Sequence, residues 1–72
     1  MGLLTLEAIG PNGEQLAITA GKKRDIPVGW DEEFQCATFD ADGVEDDDLQ
    51  TLVFEELAEI DPDWQSHLRV AE

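Results

Sequence analysis

The sequence predicts an α+β domain: a small three-stranded antiparallel sheet, made of an N-terminal hairpin plus one strand, packed against one main helix and a short C-terminal helix. Three patterns predict this class. Residues 3–20 alternate apolar and polar side chains around an Asn-Gly pair, residues 33–40 form another alternating segment, and residues 46–60 repeat apolar side chains at helical spacing. With 72 residues, the chain is long enough for one compact acidic domain, 1–72, with a modest core.

The first segment is interpreted as two strands joined by a tight turn. Apolar side chains alternate along both arms, as Leu4, Leu6 and Ala8 in the first and as Leu16, Ile18 and Ala20 in the second. Asn12 and Gly13 between them predict the turn, because both residues tolerate positive φ. The basic residues Lys22, Lys23 and Arg24 follow, and they are interpreted as a solvated loop that partly offsets the surrounding acid.

The middle of the chain predicts an extended connection and then the third strand. Pro27 biases Ile26 toward extended backbone geometry. Trp30 is expected to anchor this connection on the core, because a small domain rarely leaves a Trp unused. In the third strand, which spans residues 33–40, Cys36 is expected to be a small buried apolar side chain.

The main helix is predicted from near Asp46 or Asp47 to about Ile60. Its apolar residues recur at the spacing of one buried helical face: Leu49, Leu52, Val53, Leu57 and Ile60. Asp47 and Gln50 have the spacing of a capping box, and acids in the first turn suit the positive end of the helix dipole. The other face is expected to carry acidic residues and no basic one: Asp48, Glu55, Glu56 and Glu59.

Asp61 and Pro62 predict a short second helix, with Asp61 as its N-cap and Pro62 as its first residue. Trp64 and Leu68, four residues apart, would fold this helix onto the core. Arg69 would then lie in its last turn, at the negative end of the helix dipole.

The charge of the chain is large and unevenly distributed. The formal net charge is −14, from 18 acidic and 4 basic side chains. Residues 1–24 hold two acidic and three basic residues, whereas residues 25–72 hold 16 acidic residues and one basic residue, Arg69. Solubility alone requires a net charge of only about 2–8 in magnitude for a small domain. The excess therefore indicates a basic partner, a high-salt cell interior or metal ions.

The residue types argue against an enzyme, a dedicated metal site and a cofactor. The acidic stretch from Asp40 to Thr51 resembles a calcium loop, but Glu45 stands at position 6, where that loop requires Gly, and Thr51 stands at position 12, where it requires Glu. Cys36 lacks an activating base with a third group behind it, since His67 is the one histidine. We therefore expect no catalytic residue, no metal ligand set and no cofactor.

Hydropathy and cysteine content indicate the compartment. The N-terminus lacks the basic and apolar regions of a signal peptide, and no run approaches the roughly 18 apolar residues of a membrane span. An anionic membrane surface would repel the chain. The single cysteine allows no intrachain disulfide and suits a reducing compartment. These features predict a cytoplasmic protein that binds neither a membrane nor, directly, nucleic acid.

A protein partner with a basic surface explains the charge best. The candidate partner-binding residues are all acidic: Asp31, Glu32, Glu33, Asp40, Asp42, Glu45, Asp46, Asp47, Asp48, Glu55, Glu56 and Glu59. Residues four apart on a helix lie about 6 Å along its axis, so Asp48, Glu55 and Glu59 would form one stripe. With the acids of the adjoining loops, this stripe would imitate a phosphate backbone and occupy the DNA-binding surface of another protein.

In size and charge pattern the chain resembles the small acidic inhibitors of phages and mobile elements, which include anti-CRISPR and anti-restriction proteins that mimic DNA. The features that carry the resemblance are Asp31-Glu32-Glu33, Glu45-Asp46-Asp47-Asp48, Glu55-Glu56 and Glu59, within a 72-residue chain. The resemblance implies a target, namely a CRISPR effector subunit or another defence nuclease in the host bacterial cytoplasm. Such inhibitors share no common fold, so no residue roles carry over.

Two other interpretations remain open. The chain would equally suit an acidic adaptor or assembly protein that docks a basic partner without imitating DNA. A housekeeping domain of a halophile would also be rich in Asp and poor in Lys. The basic Lys22-Lys23-Arg24 cluster and the uneven charge distribution fit the halophile interpretation less well.

Overall fold

The computed structural model describes residues 2–71, and within them it has an α+β fold with two α-helices and a four-stranded antiparallel sheet. The elements are β1 (Gly2–Ala8), α1 (Gly13–Arg24), β2 (Val28–Asp31), β3 (Cys36–Ala41), α2 (Asp46–Ile60), a 3₁₀ turn (Trp64–Ser66) and β4 (Leu68–Val70). The strands lie in the order β2-β3-β1-β4, and each neighbouring pair is antiparallel. This β-α-β-β-α-β order is the split β-α-β arrangement of ferredoxin-like folds.

Both helices pack on the same face of the sheet and bury one apolar core. In β1 and β3 the inward residues are directly paired, Leu4 with Phe39 and Leu6 with Ala37, because side chains alternate between the faces of a strand. The fully buried large side chains are Phe39, Leu6, Leu49, Leu57, Leu68 and Val53. The predicted α+β class is therefore confirmed, and the predicted count of three strands was one short.

The predicted N-terminal hairpin was wrong, because its second arm is helix α1. Residues 15–20 lie within Gly13–Arg24. The buried residues of α1 are Gly13, Leu16, Ala17, Ala20 and Gly21, which form one face of a helix as well as Leu16, Ile18 and Ala20 form one face of a strand. Ala, Gln, Glu, Lys and Arg favour the helix over the strand. Asn12 and Gly13 accordingly begin a helix and do not form a hairpin turn.

The basic cluster was also misplaced, since it forms the last turn of α1 and not a loop. Lys22, Lys23 and Arg24 lie where the carbonyl end of the helix favours positive charge. The helix ends at Asp25, which has a left-handed φ of 57°, and the Ile26 amide donates to the Gly21 carbonyl at 2.8 Å. This 6→1 bond is the mark of a Schellman ending.

The expected extended connection contains strand β2, which pairs with β3 in a hairpin. Trp30 packs half-buried against the core, as expected. The third strand begins at Cys36 and not at Glu33, because residues 32–35 form the turn between β2 and β3. Cys36, predicted to be a small buried apolar side chain, is only half-buried, on the sheet face away from the helices.

The predicted C-terminal helix is a single 3₁₀ turn followed by an edge strand. Asp61 does organise this turn, since its Oδ1 accepts from the Asp63 amide at 2.9 Å and its carbonyl accepts from Trp64 at 3.0 Å. Leu68 then pairs with Ala8 at the open edge of β1, where ladder hydrogen bonds and burial favour a strand. Arg69 lies in β4 and bonds Glu7 at 2.9 Å.

The close approach of α1 to β2 predicts an unusual response to a glycine substitution. A Cβ at Gly21 would overlap Val28 Cγ2 and lie 2.8 Å from the Ile26 carbonyl oxygen. Gly21→Ala should therefore lower the free energy of unfolding by about 1–3 kcal/mol in urea denaturation, although Gly to Ala in a free helix stabilises by about 1 kcal/mol.

Gly29→Ala is the matched control, because nothing lies within 4 Å of a Cβ at that position. We expect the control to change the free energy of unfolding by less than about 0.5 kcal/mol. A stabilising Gly21→Ala would show that α1 and β2 are not packed this closely.

Candidate protein-binding surface

Helix α2 begins in a dense group of carboxylates. Glu45 is the N-cap residue in an extended conformation, and no side chain caps the helix within residues 2–71. The capping box predicted for Asp47 and Gln50 is therefore not formed. Asp46 reaches away from the helix, and its Oδ1 accepts a hydrogen bond from the Leu3 amide at 2.9 Å. This bond ties the start of α2 to the start of β1, while Asp47 and Asp48 remain exposed.

The outer face of α2 carries a stripe of exposed carboxylates. Asp48, Glu55 and Glu59 are all exposed, and α2 contains no basic residue. With a rise of about 1.5 Å per residue, the first two lie about 10 Å apart along the axis and the last two about 6 Å apart. None of the three forms an ion pair with any other described residue. These three residues are called the α2 stripe below.

Glu56 does not belong to this surface, and its predicted place on the outer face was wrong. The residue is only 5% exposed, and its Oε1 accepts from Arg24 Nε at 2.7 Å. The pair joins the second helix to the last turn of the first. A buried carboxylate requires such a partner, because an unpaired buried charge costs several kcal/mol. Glu56 lies three residues after Val53 and seven after Leu49, so the helical spacing already indicated the inner face.

Further carboxylates lie in or next to the loop between β3 and α2, at the end of the sheet where α2 begins. Asp42 and Glu45 are exposed in this loop, and Asp40 is exposed near the end of β3. Gly43 has a φ of 79°, which lets the chain turn between β3 and the helix. An open cavity of about 520 Å³ lies beside this loop, and its lining includes Arg24 and Asp25. The cavity is a cleft between the α1–β2 and β3–α2 loops, and its lining contains both charged and apolar side chains.

The remaining predicted residues lie at the opposite end of the sheet. Asp31, Glu32 and Glu33 belong to the turn between β2 and β3, next to Cys36. Strand β3 runs from this turn to the end of the sheet where Asp40 and the β3–α2 loop lie, and its six residues span about 17 Å. The structure therefore divides the twelve predicted acids: eleven are exposed, in two groups at opposite ends of the sheet together with the outer face of α2, and Glu56 is buried.

The two arginines of the chain are both engaged by glutamates. Arg24 pairs with Glu56, and Arg69 pairs with Glu7 at 2.9 Å across β4 and β1. Lys22 and Lys23 are exposed on α1 and form no ion pair within residues 2–71. The arginines therefore leave the α2 stripe without an ion pair, because Arg24 pairs with the buried Glu56 on the inner face of α2 and Arg69 pairs with Glu7 of β1.

Within the described residues, no group of three or more His, Cys, Asp or Glu side chains is arranged to hold a metal ion. Neither α1 nor α2 is long and apolar enough to cross a bilayer, over the part of the chain that the structure describes. Comparison of the chain with protein-family models, curated proteins and solved structures gives no match.

The pairing of Arg24 with Glu56 predicts an asymmetric loss of stability. Arg24→Met leaves the Glu56 carboxylate buried without its cation, and we expect the free energy of unfolding to fall by about 2–4 kcal/mol. Glu56→Met leaves Arg24, whose side chain is 35% exposed and able to reach water, so the loss should be below about 1 kcal/mol. Urea denaturation at neutral pH measures both, and equal losses would contradict the burial asymmetry.

Proposed function

We propose that this protein is a non-enzymatic inhibitor that binds the basic DNA-binding surface of a nucleic-acid-processing defence complex, a CRISPR effector or a nuclease. The binding surface consists of the α2 stripe and the exposed acids of the β3–α2 loop. One observation carries the proposal: the α2 stripe is exposed, lacks any ion pair among the described residues, and lies on a helix without a basic side chain.

The negative charge of this surface lowers the stability of the folded chain. Carboxylates in the first turn of α2 are favoured by the helix dipole, but Glu55 and Glu59 lie beyond the reach of that effect and at the unfavourable end. Their mutual repulsion destabilises the compact state. A partner lined with Lys and Arg would remove this repulsion on binding and would be steered toward the acidic face over about one Debye length, 8 Å at physiological salt.

The spacing of the stripe also supports imitation of DNA. Successive phosphates on one strand are about 3.4 Å apart along the duplex axis. Carboxylates about 6 and 10 Å apart along α2 would therefore meet basic side chains that contact every second or third phosphate. Asp40 at the end of β3 and Asp42 in the β3–α2 loop, both exposed, would extend the series.

Neutralising the α2 stripe should weaken binding more than neutralising the same number of acids elsewhere. The test variant is Asp48→Asn, Glu55→Gln and Glu59→Gln, and the matched control is Glu14→Gln, Asp25→Asn and Asp63→Asn. All six residues are exposed, and each triple changes the net charge from −14 to −11. We expect the test variant to lose at least about tenfold in affinity and the control to lose less than about threefold.

The measurement is displacement of fluorescein-labelled target DNA from a panel of purified CRISPR effector complexes and restriction endonucleases. Inhibition should weaken as salt rises and should show a shallower salt dependence in the test variant. Glu56 is left intact because its loss would perturb the helix pair. Equal inhibition by the two triples would assign the effect to net charge alone, and binding without displacement of DNA would favour an acidic adaptor.

Stability at low ionic strength separates this proposal from the halophile interpretation. Within residues 2–71 the core contains twelve buried apolar residues, which should hold the fold together without molar salt. We expect a cooperative thermal melt by circular dichroism at about 20 mM salt, with a higher melting temperature at about 500 mM because repulsion is then screened. A chain that is unfolded at low salt and folds only in molar salt would support the halophile domain.

A further inference from the structure

The turn between β2 and β3 presents an aromatic side chain that the fold does not use. Phe34 is 67% exposed, the most exposed large apolar residue in the described chain. The other four aromatic residues lie in the core or pack against it: Trp30, Phe39, Phe54 and Trp64. Phe34 has no part in that core. An exposed phenyl ring contributes little to folding, so its position calls for another explanation.

This turn is held in one conformation by several hydrogen bonds. Asp31 Oδ1 accepts from the Glu33 amide at 2.9 Å and from the Phe34 amide at 3.3 Å. Gln35 Nε2 donates to the Glu32 carbonyl at 2.8 Å, and Gln35 itself takes a left-handed φ of 54°. The Gln35 carbonyl in turn accepts from the Ala8 amide at 2.8 Å, which fastens the turn to β1. A side chain on such a rigid turn loses little conformational entropy when it binds.

The surroundings of Phe34 are acidic and locally apolar. Glu32 and Glu33 precede it in the turn, and both are exposed. Ile9, which is 47% exposed, follows the Ala8 residue that bonds the turn. No Lys or Arg occurs anywhere between residues 25 and 68. A ring that enters an apolar pocket here would bring two carboxylates to the rim of that pocket.

We propose that residues 31–34 form an anchor that inserts Phe34 into an apolar pocket rimmed by Lys or Arg on a partner protein. Aromatic side chains at the centre of an interface supply much of its binding energy, and rim charges supply orientation. The anchor lies at the opposite end of the sheet from the β3–α2 loop. It therefore goes beyond the proposed function and acts whether or not the α2 stripe binds DNA-binding proteins.

Charge complementarity selects this partner over other occupants. A second copy of the chain would bring another net charge of −14 against the same acids. Nucleic acid and anionic lipid surfaces would be repelled for the same reason. An apolar pocket without basic residues would desolvate Glu32 and Glu33 with no compensating partner.

The test is selection of random displayed peptides of about twelve residues on the immobilised wild-type protein. Peptides that pair an aliphatic or aromatic residue with Lys or Arg should be enriched. They should bind wild-type protein at least about tenfold more tightly than Phe34→Ser, as measured by fluorescence anisotropy. Phe34→Trp should retain binding, and ¹⁵N chemical shifts should move at residues 31–35 and Ile9.

Three controls exclude other causes of a loss of peptide binding. Leu3→Thr alters another exposed apolar residue, 49% exposed and at the far end of β1, and should leave peptide binding unchanged. The Asp48, Glu55 and Glu59 triple should keep the Phe34-dependent binding, so that the two proposals can fail separately. A thermal melt checks that Phe34→Ser is folded.

Peptides that bind Phe34→Ser as tightly as wild type, or a selection that enriches no peptide, would overturn the proposal. A Phe34-dependent dimer in sedimentation equilibrium would also overturn it, because the occupant would then be a second copy of the chain.

Discussion

The two helices are held on the sheet by one apolar core, and the other features of the structure depend on this burial. That core includes Leu6 and Phe39 of the sheet, Leu16 of α1, and Leu49 and Leu57 of α2. A chain of 72 residues has room for one such core, and it must offset both conformational entropy and the repulsion of a net charge of −14. Nearly all of the carboxylates are accordingly exposed to water, where their repulsion is screened. Among the residues that the structure describes, Glu56 is the buried exception, and its position between the helices is tolerable because Arg24 Nε donates to its carboxylate at 2.7 Å.

The positions of the four basic residues leave the α2 stripe without a compensating positive charge. Arg24 and Arg69 each neutralise a glutamate away from the α2 stripe. The remaining two basic residues, Lys22 and Lys23, lie on α1, where they complement the end of their own helix. Helix α2 thus keeps a one-sided negative potential. Such a potential acts over a Debye length and weakens as salt rises, which suits a first encounter with a basic protein.

Phe34 would act by different physics. Its contribution would be short-range, since apolar burial requires direct contact and depends little on salt. The turn that presents it is ordered by the Asp31 carboxylate, so one of the predicted partner-binding acids has a structural task. The acids at the two ends of the sheet therefore differ. Those near α2 produce a negative electrostatic potential, whereas those near Phe34 lie beside an exposed apolar side chain.

Particular residues show which elements could be predicted from the sequence and which could not. Helix α2 was predicted from near Asp46 or Asp47 to about Ile60 and is observed at Asp46–Ile60, because five apolar positions recur at helical spacing and no strand pattern competes. Residues 15–20 satisfied both a strand and a helix pattern, and the Asn12-Gly13 signal favoured the wrong one. Strand β2 was missed because it has only four residues, and because the turn at residues 32–35 that joins it to β3 was partly assigned to the third strand.

By itself, the sequence determined the α+β class, the main helix, the excess of acid and its concentration after residue 24, because composition and helical periodicity are local properties. Only the tertiary structure decided which acids share a surface. It placed Asp31 to Glu33 and Asp40 to Asp48 at opposite ends of the sheet, gave Glu56 its partner Arg24 and left Phe34 in water. Strand register and helix pairing decide these positions, and both depend on contacts between residues that lie far apart in the chain.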